Sequence, residues 1–309
     1  MYNGFIISDK FRNNALYNGN TDKFGVTVDG VNYIIKEQKK EENSSVFSEY
    51  VASRFIKCLN TRVQEVWLGI YEDRVVDIIK DFTKPGVALR SFGSTRQSSE
   101  DTDIARHTGY TYNEIMILID KHIKLGVNAK VRVKQQFWRQ FILDAILGNR
   151  DRHGGNWGYL TNGIVSAPAP IYDNGGSLFP DVAKIISKYS KNRKKFIMDR
   201  SDYFPASIIK KSNISDKDTR MNYFEALNDL KDIPELAVQL DYFRNTLDID
   251  KICRAAYITL VQDNNIIPPI YKEFYLYVIC TRYLRMVCRH RIETAYKIAD
   301  ETILRLRKP

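Results

Sequence analysis

The sequence predicts an α+β protein, with a small antiparallel-sheet lobe carrying one helix and then a mostly helical large lobe. An Asp29-Gly30 pair lies between runs of alternating apolar residues, and a second pair of such runs flanks Tyr71-Glu72-Asp73. Both read as hairpins. Apolar residues then recur at helical spacing, first through Phe137, Trp138, Phe141, Ile142, Ala145 and Ile146, and later through most of the chain after Tyr223. Size agrees: 309 residues exceed the range, roughly 250–300 residues, at which single cores stop growing and chains divide.

Composition narrows the class. Apolar residues make up 44% and charged residues 27%, the mix of an ordinary folded domain, which excludes disorder over most of the chain. Lys and Arg total 47 against 37 Asp and Glu, and the formal charge of +10 suits anionic partners and equally a set of solvated lysine faces. No run approaches the roughly 18 apolar residues that cross a bilayer. Residues 1 to 10 lack the basic-then-apolar order of a secretory leader, so a cytoplasmic protein is expected, with export by another route left open. Cys58, Cys253, Cys280 and Cys288 show no Cys-x-x-Cys spacing, which argues against a zinc site or a disulfide framework. They are expected to be reduced and mostly buried.

Along the chain, Asn18-Gly19-Asn20-Thr21-Asp22 suits either a plain turn or one whose backbone amides wrap an anion. Val26 and Val28, then Val31, Tyr33 and Ile35, form the first hairpin, and Lys36 ends its second strand. Phe47, Val51, Phe55, Ile56 and Leu59 mark a helix with Ser44 or Ser45 as cap, and Glu49 falls on it. Val66, Leu68 and Ile70, then residues 75 to 79, make the second hairpin. Pro85-Gly86 stops strand and helix alike, so the lobes are expected to divide into residues 1–83 and 84–309, with the hinge near Asp81 and Phe82. Residues 91 to 110 read as a long exposed loop. Thr111 and Glu114 form a capping box, opening a helix that Gly126 closes. A buried helix over 131 to 147 follows. Residues 179 to 211 carry Lys184, Lys188, Lys191, Arg193, Lys194 and Lys195 with Ser187, Ser190 and Ser201 among them, which suits a solvated face or a segment that takes up phosphate. His107 and His122 have no companions at metal-ligand spacing and read as structural. Pro268-Pro269 breaks the closing helices.

The chemistry gathers at the end of the buried helix. Within Gly-Asn-Arg-Asp-Arg-His-Gly-Gly-Asn-Trp-Gly (148–158), Asp151 lies five positions before Asn156, and Asp173-Asn174-Gly175 begins seventeen positions after it. A polar loop anchored on a rigid apolar helix is a common place for reactive groups. Phosphoryl transfer requires one carboxylate to orient the attacking hydroxyl and oxygen ligands to hold Mg²⁺ against the phosphates of ATP. Asp151, Asn156 and Asp173 supply those groups.

Residues 147–158 and 169–178 resemble the HipA-like serine/threonine kinases, and Phe-Ser-Glu-Tyr-Val-Ala (47–52) and Lys80-Asp81-Phe82-Thr83 are similar to that group as well. The likeness runs from about Asn18 to Asp181 and is greatest toward the short, single-module bacterial members. It implies a two-lobed protein-kinase-like fold using ATP and Mg²⁺. By this resemblance Lys36 contacts the phosphates under the hold of Glu49, Asn156 and Asp173 bind the metal, and Asp151 orients a Ser or Thr hydroxyl of a protein substrate, the chain itself included. Gly19 and Asn20 would wrap phosphate, and backbone near Asp81 and Phe82 would meet the adenine. Arg152 and His153 would either support the loop or balance phosphate charge. No nucleic-acid partner is expected. The Asp-Arg-His then Asn order also resembles lipid kinases, so a phosphoinositide or small-molecule kinase is one alternative. A catalytically inactive kinase-fold binding protein is another.

Overall fold

Both predicted turns close with backbone that few residues adopt. Asp29 (φ 49°) and Gly30 (φ 74°) are both left-handed between β2 (Lys23–Val28) and β3 (Val31–Glu37), as a type I′ hairpin requires. Glu72 (φ 47°) and Asp73 (φ 60°) do the same, without glycine, between β4 (Val66–Tyr71) and β5 (Arg74–Lys80). The computed structural model describes residues 5–15, 23–37, 45–96, 109–122, 126–211, 220–262 and 265–307. The 18–22 turn, with Gly19 and Asn20, and also His107, lie outside the described residues.

With β1 (Phe5–Ile6), which pairs parallel to β4, these strands form a five-stranded sheet in the order β1-β4-β5-β3-β2. Strand β3 is therefore interior, and Lys36 stands opposite Asp77 of β5. The side-chain period of two sorts the faces. Val26, Ile35, Tyr71, Val76 and Ile78 cluster on one face. On the other, Val66, Leu68 and Ile79 pack with Val51, Phe55 and Ile56 of α1 (Ser45–Cys58) in a core that continues into the helical part. The fold is α+β as expected, a curled sheet lobe joined to helices.

After the break at Pro85-Gly86 the chain departs from the expected long loop. Residues 88–91 form β6 (Ala88–Ser91), which pairs with β7 (Gly158–Thr161), itself paired with β8 (Ser166–Pro168). Phe92 opens α2 (Phe92–Arg96), is fully buried, and stacks on Trp157 at 4.0 Å between ring centroids. Apolar contact with the end of the 148–158 loop, invisible to local polarity, overrides the polar character of this stretch. Residues 97–108 of the expected loop are outside the described region.

The capping box of α3 (Tyr112–Ile117) forms as predicted, with Thr111 N–H donating to Glu114 Oε2 at 2.7 Å and Glu114 N–H to Thr111 Oγ1 at 3.2 Å. Gly126 does not close that helix, which runs on as a π-helical turn over Leu118–His122. Instead Gly126 is the N-cap of α4 (Val127–Leu147), which starts four residues earlier than its apolar stripe suggests. Then follow α5 (Val182–Ile185), α6 (Arg193–Ser201), the pair β9 (Ala206–Lys210) and β10 (Arg220–Asn222), α7 (Tyr223–Asp229), α8 (Pro234–Asp241), α9 (Ile249–Val261), α10 (Pro269–Met286) and α11 (Ile292–Leu306). The Pro break falls at the start of α10, where proline at the first turn costs no hydrogen bond. Cys253 and Cys280 are buried, but Cys58, at the end of α1, is exposed. No described helix is long and apolar enough to cross a membrane.

Candidate active site

Helix α4 leads into the 148–158 loop. Gly148 ends it in the left-handed conformation (φ 64°), and a Cβ there would lie 3.1 Å from Arg282 Cζ. Arg282, on α10, is fully buried and donates to Ala145 O at 2.7 Å, Ile146 O at 2.9 Å and Tyr203 O at 2.6 Å. Its guanidinium thus serves carbonyls at the end of α4, where the helix dipole favours a cation. Burial still pushes its pKa down to about 10.

Beyond Gly148 the loop is built around a second buried guanidinium. Arg152 pairs with Asp144 of α4 through two bonds, Nε to Oδ2 at 2.9 Å and Nη2 to Oδ1 at 3.0 Å. Nη1 donates to Asn156 O at 2.6 Å, Tyr172 O at 2.7 Å and Asp173 O at 3.3 Å, and Nη2 to Asn174 Oδ1 at 2.7 Å. One side chain therefore joins the helix, the Asp151–Asn156 loop and the Asp173 turn. Burial alone would lower its pKa, but the Asp144 carboxylate more than reverses that, and the net direction is upward. Of the two roles left open for Arg152, supporting the loop is the one these contacts match. His153 is half-buried, and its Nδ1 accepts from Gly155 N–H at 3.0 Å.

Asp151 itself is exposed. Its backbone is fixed on both sides, N–H donating to Asn149 Oδ1 at 3.0 Å and O accepting from Asn156 Nδ2 at 2.9 Å. The Asn156 amide nitrogen is thereby occupied, which leaves its oxygen as the group able to meet a cation.

Asp173 sits at φ 56°, a conformation few residues other than Gly, Asn and Asp tolerate, two residues after Ile171, whose N–H donates to Arg62 O at 3.0 Å and whose O accepts from Gln64 N–H at 2.8 Å. Its Oδ1 lies 3.2 Å from Lys36 Nζ, and Lys36 Nζ lies 3.2 Å from Glu49 Oε2. Glu49 is fully buried and saturated: Oε1 accepts from Gln64 Nε2 at 2.5 Å, Asn174 N–H at 2.8 Å and Ser53 Oγ at 3.4 Å. Burial works against charge on Lys36, yet Glu49, Asp173 and Asp77 together hold its pKa above the usual lysine value. For Asp173, burial would raise the pKa, but Lys36 and Arg152 hold it below the usual carboxylate range.

The two glycines after Asn174 are demanded by close approach. A Cβ on Gly175 would come within 3.2 Å of Glu49 Oε2 and 3.3 Å of Lys36 Nζ. One on Gly176 would come within 2.7 Å of Asp151 Cβ and 2.8 Å of Asn149 Oδ1. The second is the harsher contact, because it falls on the stem of Asp151 and not on a flexible end. Gly176→Ala is expected to displace Asp151 and lower turnover about 100-fold for a shift near 1 Å. Steady-state kinetics beside a melting curve will show whether kcat falls with the fold retained.

At the expected hinge the Asp81 carboxylate is engaged locally, its Oδ1 accepting from Thr83 N–H at 2.8 Å and Thr83 Oγ1 at 2.7 Å. Asp81 N–H donates to Asn32 O at 3.0 Å, and the Phe82 ring packs on Tyr172 at 5.9 Å between centroids. Among the described residues no cluster of three or more His, Cys, Asp or Glu could hold a metal ion. A cation here would be held by the Asp173 carboxylate and the Asn156 amide oxygen, completed by oxygens of a ligand. That donor set, hard oxygens and few of them, fits Mg²⁺ delivered with phosphates.

The structure thus gathers Lys36, Glu49 and Asp173 in direct contact, with Asp151 and Asn156 tied to the Asp173 turn through Arg152 and Gly176. Sequence reasoning missed Asp144, Asn174, Gln64 and Ser53. Asp144 had a readable signal, a lone acid within the apolar stripe of α4; the other three are ordinary polar residues until the fold brings them to Glu49.

Fold and site together define a kinase-like protein. The chain belongs to the HipA-like C-terminal domain family, whose model matches residues 15–228. It is 31% identical over 238 residues to the serine/threonine-protein kinase CtkA of Helicobacter pylori, an alignment covering 74% of this chain and 66% of that relative's length. The crystal structure of the H. pylori proinflammatory kinase CtkA superposes with a TM-score of 0.70 at 27% identity, covering 91% of this chain and 96% of that one. HipA of Shewanella oneidensis, solved with HipB and operator DNA, shares the fold at a TM-score of 0.50 and 16% identity, over 94% of this chain and 68% of that one.

Proposed function

We propose that the chain is a serine/threonine protein kinase that transfers the γ-phosphoryl group of ATP, with Mg²⁺, to a protein hydroxyl. The observation that carries this reading is the position of Lys36 Nζ, 3.2 Å from both Glu49 and Asp173. Side chains from β3, α1 and the distant Asp173 turn meet where a lysine held by one acid contacts phosphates and the other acid binds the metal. Asp151 orients the acceptor hydroxyl, and Asn156 supplies the second metal oxygen. The nucleotide lies between a lobe of residues 1–83 and one of 84–309, its adenine edge at Phe82 and its phosphates at Lys36. His153, half-buried at the loop, borders the phosphates. The bound metal neutralises phosphate charge; the protein's own contribution is position and electrostatics.

Incubating the protein with γ-labelled ATP and Mg²⁺, with protein acceptors in one arm and phosphoinositide vesicles in the other, tests the reading. Label on protein supports it; label on lipid alone, or none in either arm, refutes it.

Self-phosphorylation is part of the same reading, and exposure selects its site. Ser187 and Ser190 are exposed within the basic stretch, whereas Ser201 is fully buried in α6. Lys184, Lys188 and Lys191 lie close in sequence to pair with a phosphate. Mass spectrometry after incubation with ATP is expected to find phosphate on Ser187 or Ser190. Modification of Ser201 would contradict this choice.

A further inference from the structure

Lys36 has a neighbour that the kinase reading leaves without work. Asp77 of β5 stands directly across from Lys36 in the β3–β5 ladder, so both side chains leave the same face of the sheet. Val75 and Ile79 flank it two residues away on that face and pack into the core beneath α1, as does Leu68 across the ladder on β4. The carboxyl is fully buried, and neither oxygen has a hydrogen-bond partner. A buried polar group without a partner costs roughly 1–3 kcal/mol, more when charged. Burial and the nearby Glu49 carboxylate push the Asp77 pKa well up, with Lys36 opposing them. An apolar residue of similar size would serve the core better.

The geometry points to a use. In the present arrangement Lys36 has two acid partners, Glu49 and Asp173, each at 3.2 Å. If the kinase reading holds, Asp173 must turn to the metal during each cycle, and Lys36 then loses one of them. We propose that Asp77 is a positioning residue for Lys36: its carboxyl oxygen, idle while Asp173 is free, accepts from Nζ when Asp173 is engaged and keeps the ammonium aimed into the cleft. Protonated or ionised, the carboxyl offers an acceptor oxygen. This inference rests on the proposed nucleotide site and adds to it a residue outside the motif loops.

The test is a cycle of Asp77→Leu, Asp77→Asn, Lys36→Met and Asp77→Leu with Lys36→Met, read in three ways. Affinity for Mg²⁺-ATP is expected to fall about tenfold in Asp77→Leu, to be largely kept in Asp77→Asn, which retains a carbonyl acceptor, and to show no further loss when Asp77→Leu is added to Lys36→Met. The melting temperature of Asp77→Leu is expected to match or exceed that of the unmodified protein, since an unpartnered carboxyl is removed. In a structure of Asp173→Ala without nucleotide, where Lys36 has lost that acid as it would to the metal, Nζ is expected to sit about 2.7–3.2 Å from an Asp77 carboxyl oxygen. Equal loss of affinity in both Lys36 backgrounds, unchanged affinity in Asp77→Leu, or a Lys36 Nζ that stays away from Asp77 in Asp173→Ala would overturn the inference. Failure of the unmodified protein to bind Mg²⁺-ATP would count against the nucleotide site itself, while the Asp173→Ala structure would still decide whether Asp77 takes up Lys36.

Discussion

Asp173→Ala is expected to cripple phosphoryl transfer with little change in fold, lowering turnover by about 100- to 1000-fold, the scale on which removing one preorganised charge contact acts. Two losses combine. On the proposed reading the metal would keep only the Asn156 oxygen from the protein, and Lys36 loses the acid 3.2 Å from its Nζ. The Asp173 side chain is partly exposed, and its backbone is held independently by Arg152, so the turn itself should survive. Asp151→Asn is expected to fall by a similar factor for another reason: the amide fits the same space but cannot take up the hydroxyl proton, a role worth roughly 100- to 10,000-fold. Because Asp151 is exposed and makes its local bonds through its backbone, the melting temperature should hold. Phosphate transfer measured with melting curves separates these effects from unfolding. Turnover unchanged in either variant would end the assignment.

Arg152→Met should do the opposite, damaging the fold before the chemistry. It leaves Asp144, itself buried, without its cation, and removes the donor that Asn156 O, Tyr172 O and Asn174 Oδ1 share. Breaking a buried pair from one side costs about 3–5 kcal/mol. At about 2 °C per kcal/mol for a chain of this size, the melting temperature should drop about 6 to 10 °C. The exposed pair Lys195–Asp199, at 2.8 Å on one face of α6, is the control: such pairs are worth about 0.3–0.5 kcal/mol, so Lys195→Ala should shift the melting temperature by about 1 °C. Similar distances thus give effects tenfold apart, because only one pair is out of water. A drop after Arg152→Met no larger than the control's would show that Arg152 is not the anchor of the loop.

These contrasts also explain what was legible in the chain. The Asp29-Gly30 turn, the Thr111–Glu114 box and the α4 stripe each announce themselves within a few residues, since their causes are local: backbone preference, a cap bond, a helical period. Asp151, Asn156 and Asp173 stood out as groups suited to phosphoryl transfer, and the contact of Lys36 with Glu49 was expected only through family likeness. What local pattern could not disclose was set by partners distant in sequence. Residues 88–91 became a strand because β7 offered an edge 67 residues or more away, and Phe92 was buried because Trp157 met it. Asp77 looks like a polar residue in an alternating strand until its register with Lys36 is known.

The most direct measurement is a structure of the protein with Mg²⁺ and a non-hydrolysable ATP analogue. The expected result is a metal with an Asp173 carboxylate oxygen and the Asn156 amide oxygen at about 2.0–2.1 Å, Lys36 Nζ on a phosphate oxygen, and Asp151 facing the γ-phosphate. A nucleotide seated elsewhere, or a metal that meets neither Asp173 nor Asn156, would contradict it.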